Sequence, residues 1–115
     1  MTNDQFDILR LELRRGCVPL AVLAELRTEQ YGYTLRKALA DLGVVVDEGT
    51  LYPLLRRLES QGLLASVWRE EEKRPKRYYR LTAEGRRIFD RLAAEWRSLT
   101  SSLETIFKEK RHGSH

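Results

Sequence analysis

The stretch Gly49-Thr-Leu-Tyr-Pro-Leu-Leu-Arg-Arg-Leu-Glu-Ser-Gln-Gly-Leu-Leu64 decides the architecture of this 115-residue chain. At 100° per residue, Leu51, Leu54, Leu55 and Leu58 fall within about a 100° stripe, the apolar face of a surface helix. Gly49, Tyr52, Arg56 and Arg57 lie elsewhere around the cylinder. Asp47 or Thr50 suits the N-cap, because either side-chain oxygen can accept a free backbone N–H of the first turn. Pro53 separates the two cases. It is tolerated after a Thr50 cap, but should loosen or kink a helix capped by Asp47. Gln61-Gly62 ends the element.

Working downstream, Leu63–Trp68 and Lys76–Leu81 read as two strands around a polar turn containing Pro75. Residues 69–80 hold six basic side chains (Arg69, Lys73, Arg74, Lys76, Arg77, Arg80) against three acids, Glu70, Glu71 and Glu72. Charges also guard exposed strand edges against aggregation, but Lys73, Arg74, Lys76 and Arg77 around one proline exceed that need. Tyr78 and Tyr79 point to opposite faces, so one ring packs inward. Thr82 caps a final helix of about 29 residues, roughly 43 Å at 1.5 Å per residue. Its apolar positions (Phe89, Leu92, Ala93, Trp96, Leu99, Leu103, Ile106, Phe107) stay on one side for about five turns.

Upstream, residues 4–15 favour a helix that stops at Gly16. Pro19 suits the first turn of a second helix, roughly 18–29, with Leu20, Val22, Leu23 and Leu26 in the core. Tyr31-Gly32-Tyr33 reads as a turn. A third helix, at about 33–41, turns Leu35, Ala38 and Leu39 inward and Arg36 and Lys37 outward. Leu42-Gly43 closes it, and Val44-Val45-Val46 forms a short β-like link. With the N-terminal helix set aside, the order is helix, helix, helix, hairpin, long helix. The fold class is mainly α with a small β-hairpin: a winged helix-turn-helix unit over 1–82, a dimerisation helix over 83–111, and a short polar tail, 112–115, expected to be disordered.

In that order of elements, the second helix of the pair reads bases in the major groove and the wing holds phosphates. The candidate DNA-contacting residues are Tyr33, Arg36 and Lys37, then Gly49, Thr50, Tyr52, Arg56 and Arg57, and on the wing Lys73, Arg74, Lys76 and Arg77. Arg56 or Arg57 can make bidentate contacts to guanine or equally contact a phosphate, and the Gly49–Thr50 helix start can offer N–H groups to a phosphate. A formal charge of +4 and a pI near 9.5 agree with a polyanionic partner.

The long helix outruns any core the rest of the chain can supply. Its apolar side calls for a second copy, so Phe89, Leu92, Trp96, Leu99, Leu103, Ile106 and Phe107 are expected at a homodimer interface. Trp96, with Phe89 and Leu92 beside it, is also a candidate ligand surface between protomers. The competing class is a protein-interaction module, in which the long helix binds a different protein and the winged unit is a scaffold.

Other classes are disfavoured. The sole cysteine, Cys17, excludes an intramolecular disulfide framework and a cysteine-built zinc site. The two histidines, His112 and His115, sit in the tail, so no histidine-based triad is available. The glycines form no phosphate loop, and neither an enzyme, a cofactor nor a metal is expected. No run approaches the ~18 apolar residues of a membrane span, and the start of the chain lacks signal-peptide character. A cytoplasmic location is expected.

Leu13-Arg-Arg-Gly16, Tyr31-Gly32-Tyr33, Gly49-Thr-Leu-Tyr-Pro-Leu-Leu-Arg-Arg-Leu-Glu59, Gly62-Leu63 and Lys76-Arg-Tyr-Tyr-Arg-Leu-Thr-Ala-Glu-Gly85 resemble the PadR family of bacterial transcriptional regulators over about residues 8–107. One departure is Tyr31, where the family commonly has histidine. The resemblance implies a winged-helix dimer that represses its targets and leaves DNA when a small ligand binds. The single C-terminal helix is similar to the short subfamily that includes multidrug-exporter regulators, in which an aromatic residue on that helix lines a drug site at the dimer centre. Trp96 looks like the matching residue, which implies a planar aromatic ligand. Phenolic acids are the family's other well-known ligand class.

Overall fold

The computed structural model describes residues 4–112, with side chains through Glu109. Five helices and three strands follow one another as α1 (Asp4–Arg15), α2 (Val18–Glu25), β1 (Gln30–Tyr31), α3 (Gly32–Asp41), α4 (Glu48–Ser60), β2 (Leu64–Glu71), β3 (Arg74–Leu81) and α5 (Ala83–His112). One small core joins α2, α3, α4 and the base of the sheet. Val22, Leu23, Leu26, Leu35, Leu39, Leu51, Leu54, Leu55, Leu58, Leu64 and Tyr79 are its buried members. Each fully buried leucine contributes about 2 kcal/mol of transfer free energy. The four leucines at 51, 54, 55 and 58 make α4 the best-anchored helix.

Asp47 caps α4, its carboxylate accepting the Thr50 N–H at 2.7 Å. Pro53 therefore lies inside the helix, which nevertheless continues to Ser60. The expected loosening is limited because proline leaves only the Gly49 carbonyl without its i+4 donor. Gly49 is exposed, so water can replace that bond. At the other end, Gly62 takes φ +82, Leu63 N–H donates to the Leu58 carbonyl and Gly62 N–H to that of Glu59. These are the paired bonds of a Schellman cap, in which glycine alone adopts the left-handed residue without strain. Gly43 ends α3 in the same way.

The structure corrects several sequence expectations. α2 stops at Glu25 rather than 29 because other groups take its last carbonyls. Leu81 N–H binds the Leu26 carbonyl, Arg27 Nε that of Ala24, and Gln30 Nε2 that of Glu25. The chain then enters β1, where a turn was expected, and pairs Gln30 with Tyr79 and Tyr31 with Tyr78. The wing is thus a three-stranded sheet of order β1-β3-β2. Val44–Val46 forms no strand; it is an extended connection with Val44 and Val46 packed on the core.

The hairpin turn, Glu72-Lys73, lies within the polar stretch expected to hold it, but it is only two residues long, Pro75 belongs to β3, and the strands are longer than expected. β2 and β3 pair without interruption from Leu64↔Leu81 to Glu71↔Arg74. Glu72 (φ 52) and Lys73 (φ 66) both adopt left-handed backbone, the signature of a type I′ turn usually marked by Asn-Gly. Pro75 fits because Glu70↔Pro75 is the non-hydrogen-bonded pair next to the closing one. Its missing N–H faces away from β2, at a level β1 does not reach.

Thr82 caps α5 as expected, its hydroxyl accepting Gly85 N–H at 2.9 Å and donating to the Gly62 carbonyl at 2.6 Å. α5 continues to His112, one residue into the segment read as a tail. The remainder of that tail, 113–115, lies outside the described residues.

Candidate nucleic-acid interface

The leucine face of α4 holds the helix on the core and thereby fixes the direction of its opposite side. Gly49, Thr50, Pro53, Arg56 and Arg57 are exposed there. Arg56 and Arg57 form no ion pair among the described residues. Tyr52 is half-buried and serves as a spacer between helices. A Cβ on Gly32 would lie 2.4 Å from its hydroxyl oxygen, so the glycine of Tyr31-Gly32-Tyr33 admits the ring against the start of α3. The Thr50 N–H, offered to a phosphate by the sequence reading, is already taken by Asp47.

On α3, Tyr33 and Lys37 are exposed. Arg36 Nη1 donates to the Glu48 carboxylate at 2.5 Å, tying α3 to the first residue of α4. That bond leaves Arg36 less free than Lys37.

Residues opposite one another in the β2–β3 ladder share a face of the wing. Tyr79 and Leu64 carry one face into the core, and Ser66, Trp68 and Arg77 continue it outward along the α4 side. The other face is a ladder of aromatic rings and cations. Tyr31 meets Tyr78 edge-on at 5.2 Å, Lys76 Nζ stands 4.5 Å from the Tyr31 ring centre, and Arg69 lies over Tyr78 at 5.0 Å. Arg69 also pairs with Glu29, and Lys76 with Glu71. Hydrogen bonding from the Tyr78 hydroxyl holds the Glu71 carboxyl below its usual range and pushes Tyr78 up to about 12. Partial desolvation pulls Lys76 down, but the Tyr31 hydroxyl and Glu71 together outweigh it and leave Lys76 above its ordinary value.

The four wing cations expected at DNA therefore divide into two pairs. Lys73 and Arg74, at the tip, make no side-chain hydrogen bond or ion pair among the described residues. Lys76 and Arg77 are engaged within the fold, Arg77 with Glu59 of α4 at 3.0 Å. A groove of about 330 Å³ separates α4 from the wing, with Tyr52 and Arg56 on one wall and Trp68, Pro75, Lys76 and Arg77 on the other.

On α5, Phe89 is half-buried against the core, with Arg27 5.1 Å from its ring centre. Beyond it Leu92, Trp96, Leu99, Leu103, Ile106 and Phe107 are exposed, Trp96 to 45% and Phe107 to 57%. Sequence reading gave no role to α1, yet Phe6, Ile8, Leu9, Leu11 and Leu13 are exposed there and no α1 residue is buried. The apolar spacing of Phe6, Leu9 and Leu13 was the available signal. Cys17 is half-buried at the α1–α2 junction.

Comparison with known proteins agrees with this architecture. The profile of the "Transcriptional regulator PadR-like family" matches residues 20–91. A transcriptional regulator of Mycobacterium tuberculosis is 41% identical over 87 residues, covering 73% of this chain and 81% of that protein. The crystal structure of a PadR family transcriptional regulator from Eggerthella lenta superposes with a TM-score of 0.88 at 45% identity, over 92% of this chain and 95% of that one. A PadR-like transcription factor from Bacteroides fragilis gives 0.72 at 31% identity, over 85% and 97%. These relatives are transcriptional regulators rather than enzymes, and this chain belongs to the PadR-like family of transcriptional regulators.

Proposed function

We propose that the protein is a homodimeric repressor that binds palindromic operator DNA in the cytoplasm and is released by a small planar aromatic ligand. The observation that carries the DNA-binding part is the groove flanked by Arg56 on α4 and by the wing, with two unpaired cations at the wing tip. α4 enters the major groove, where Arg56 and Arg57 reach base edges or the adjacent backbone. Gly49, Thr50 and Tyr52 lie beside them, and Tyr33, Arg36 and Lys37 flank the entry. Lys73 and Arg74 grip phosphates from the tip, with Lys76 and Arg77 closer to the base of the wing.

Dimerisation uses the exposed apolar faces of α5 and α1, since a chain of this size gains by burying them against a second copy. A two-fold axis then sets two reading helices about 34 Å apart, one turn of DNA. The aromatic ligand binds at the dimer centre around Trp96, with Leu92 and Phe89 beside it. No helix among the described residues is long and apolar enough to cross a membrane.

The Lys73→Ala/Arg74→Ala variant tests the interface. Each lost phosphate contact lowers the slope of log K against log salt by about 0.9. Binding should weaken by a similar factor on every duplex, and the slope should fall by up to about 2 per protomer. A salt titration with an unchanged slope overturns the tip assignment.

A further inference from the structure

We infer that Glu59, Ser66 and Arg77 form a latch that sets the angle of the wing against α4, making Glu59 and Arg77 positioning residues for sequence reading. The inference rests on the DNA-binding role proposed above. Three elements meet at this point. Glu59, near the end of α4, accepts Ser66 Oγ of β2 on Oε2 at 2.7 Å and Arg77 Nη2 of β3 on Oε1 at 3.0 Å. Arg77 Nε closes the ring by donating to Ser66 Oγ at 3.0 Å. Both carboxylate oxygens and two edges of the guanidinium are thus engaged. The Arg77 guanidinium also lies 5.6 Å from the Trp68 ring centre and 5.5 Å from that of Tyr79.

The position of this ring in the fold gives it leverage. Leu64 and Tyr79 are the outermost buried residues of the wing, and Ser66↔Tyr79 followed by Trp68↔Arg77 is the next level of the ladder. Past it, residues 67–75 are exposed. The latch is therefore the outermost side-chain tie between the wing and α4, while on the opposite face Arg69 with Glu29 and Lys76 with Tyr31 tie the wing to the β1 side one level further out. From Arg77 to the tip is four residues, a lever of roughly 13 Å at 3.3 Å per residue. A swing of about 15° would carry Lys73 and Arg74 some ~3 Å, enough to break a hydrogen bond to phosphate. The pair is half-shielded from solvent, so it is screened less than a fully exposed surface pair.

Charge alone makes the opposite forecast. Glu59 is an acid one turn from Arg56 on the reading helix, and removing a negative charge near DNA ordinarily tightens binding. The sign of the effect therefore discriminates. The test compares wild type, Glu59→Gln and Arg77→Lys on two duplexes: one enriched from a random pool by the wild-type protein, and a scrambled duplex of equal length. The lysine variant keeps the charge but loses the fork that spans Glu59 and Ser66.

Both variants should bind the enriched duplex about tenfold more weakly, a coupling within the range for groups in one network. The affinity of Glu59→Gln for the scrambled duplex should hold or rise, and that of Arg77→Lys should fall less than on the enriched duplex, so discrimination collapses. Equal changes on both duplexes indicate loss of folded protein and overturn the latch; so does Glu59→Gln binding the enriched duplex as well as or better than wild type. If the wild type enriches no duplex, the DNA-binding reading itself fails, a result that cannot be confused with the others.

Discussion

Replacing Gly85 by alanine should lower the denaturant midpoint substantially, by a ΔΔG of about 3 kcal/mol, within the usual to upper range for overpacking a tight site. Helix propensity argues the other way, since alanine inside a helix is favoured over glycine by about 1 kcal/mol. Sterics decide. A Cβ at Gly85 would stand 2.0 Å from the Leu63 carbonyl oxygen, 3.0 Å from its carbon and 3.1 Å from Leu81 Cδ2. That carbonyl cannot yield cheaply. It accepts the Thr82 N–H at 3.1 Å, and Leu63 is held in turn by its own N–H on the Leu58 carbonyl at 3.0 Å. Relieving the clash means separating the start of α5 from the end of α4, which breaks the Thr82 cap and the Schellman bonds together. Equilibrium urea unfolding at fixed protein concentration measures it, because the stability of the proposed dimer would depend on concentration. A midpoint equal to or above wild type would mean that the α4–β2 turn and α5 are free to separate.

The second large effect should come from Leu99→Glu/Leu103→Glu. Both side chains are exposed on α5 of the single chain. In a two-fold interface each substitution appears twice, so four carboxylates would converge on one apolar seam. The protein should change from dimer to monomer by light scattering at micromolar concentration while its helical content is retained. Affinity for operator DNA should fall at least about 100-fold, because two linked reading heads gain 10²–10⁴ over one. An unchanged mass would remove α5 from the interface.

Much of this architecture was legible in the sequence, for identifiable reasons. The leucine stripe of α4 and the threonine that opens α5 are local signals, and each met the partner its chemistry requires. Pro53 left the start of α4 open because its tolerance depends on whether the freed carbonyl reaches water, a tertiary fact. β1 was invisible because two residues carry no periodicity; it exists through β3. The expected turn was wide enough to include Pro75 because proline is a strong local turn signal, whereas Glu72-Lys73 adopts its left-handed backbone without the usual Asn-Gly mark. The basic character of the wing was legible as a charge run, but the partnering of its cations within the fold was not. Arg77 meets Ser66 and Glu59, 11 and 18 positions away, and no local pattern separates it from Lys73 and Arg74. The apolar side of α1 was readable but had no assigned destination, and no residue of α1 is buried in the core of its own chain.

Enrichment from a random duplex pool tests the central claim most directly. The wild-type protein is bound to the pool at physiological salt, the retained duplexes are sequenced, and the winner is footprinted. The expected result is a two-fold symmetric sequence whose half-site centres lie one helical turn, about 10 base pairs, apart, with both half-sites protected. A pool that gains no consensus, or a single unsymmetrical site contacted by one subunit, would contradict a dimer reading DNA through α4 and the wing.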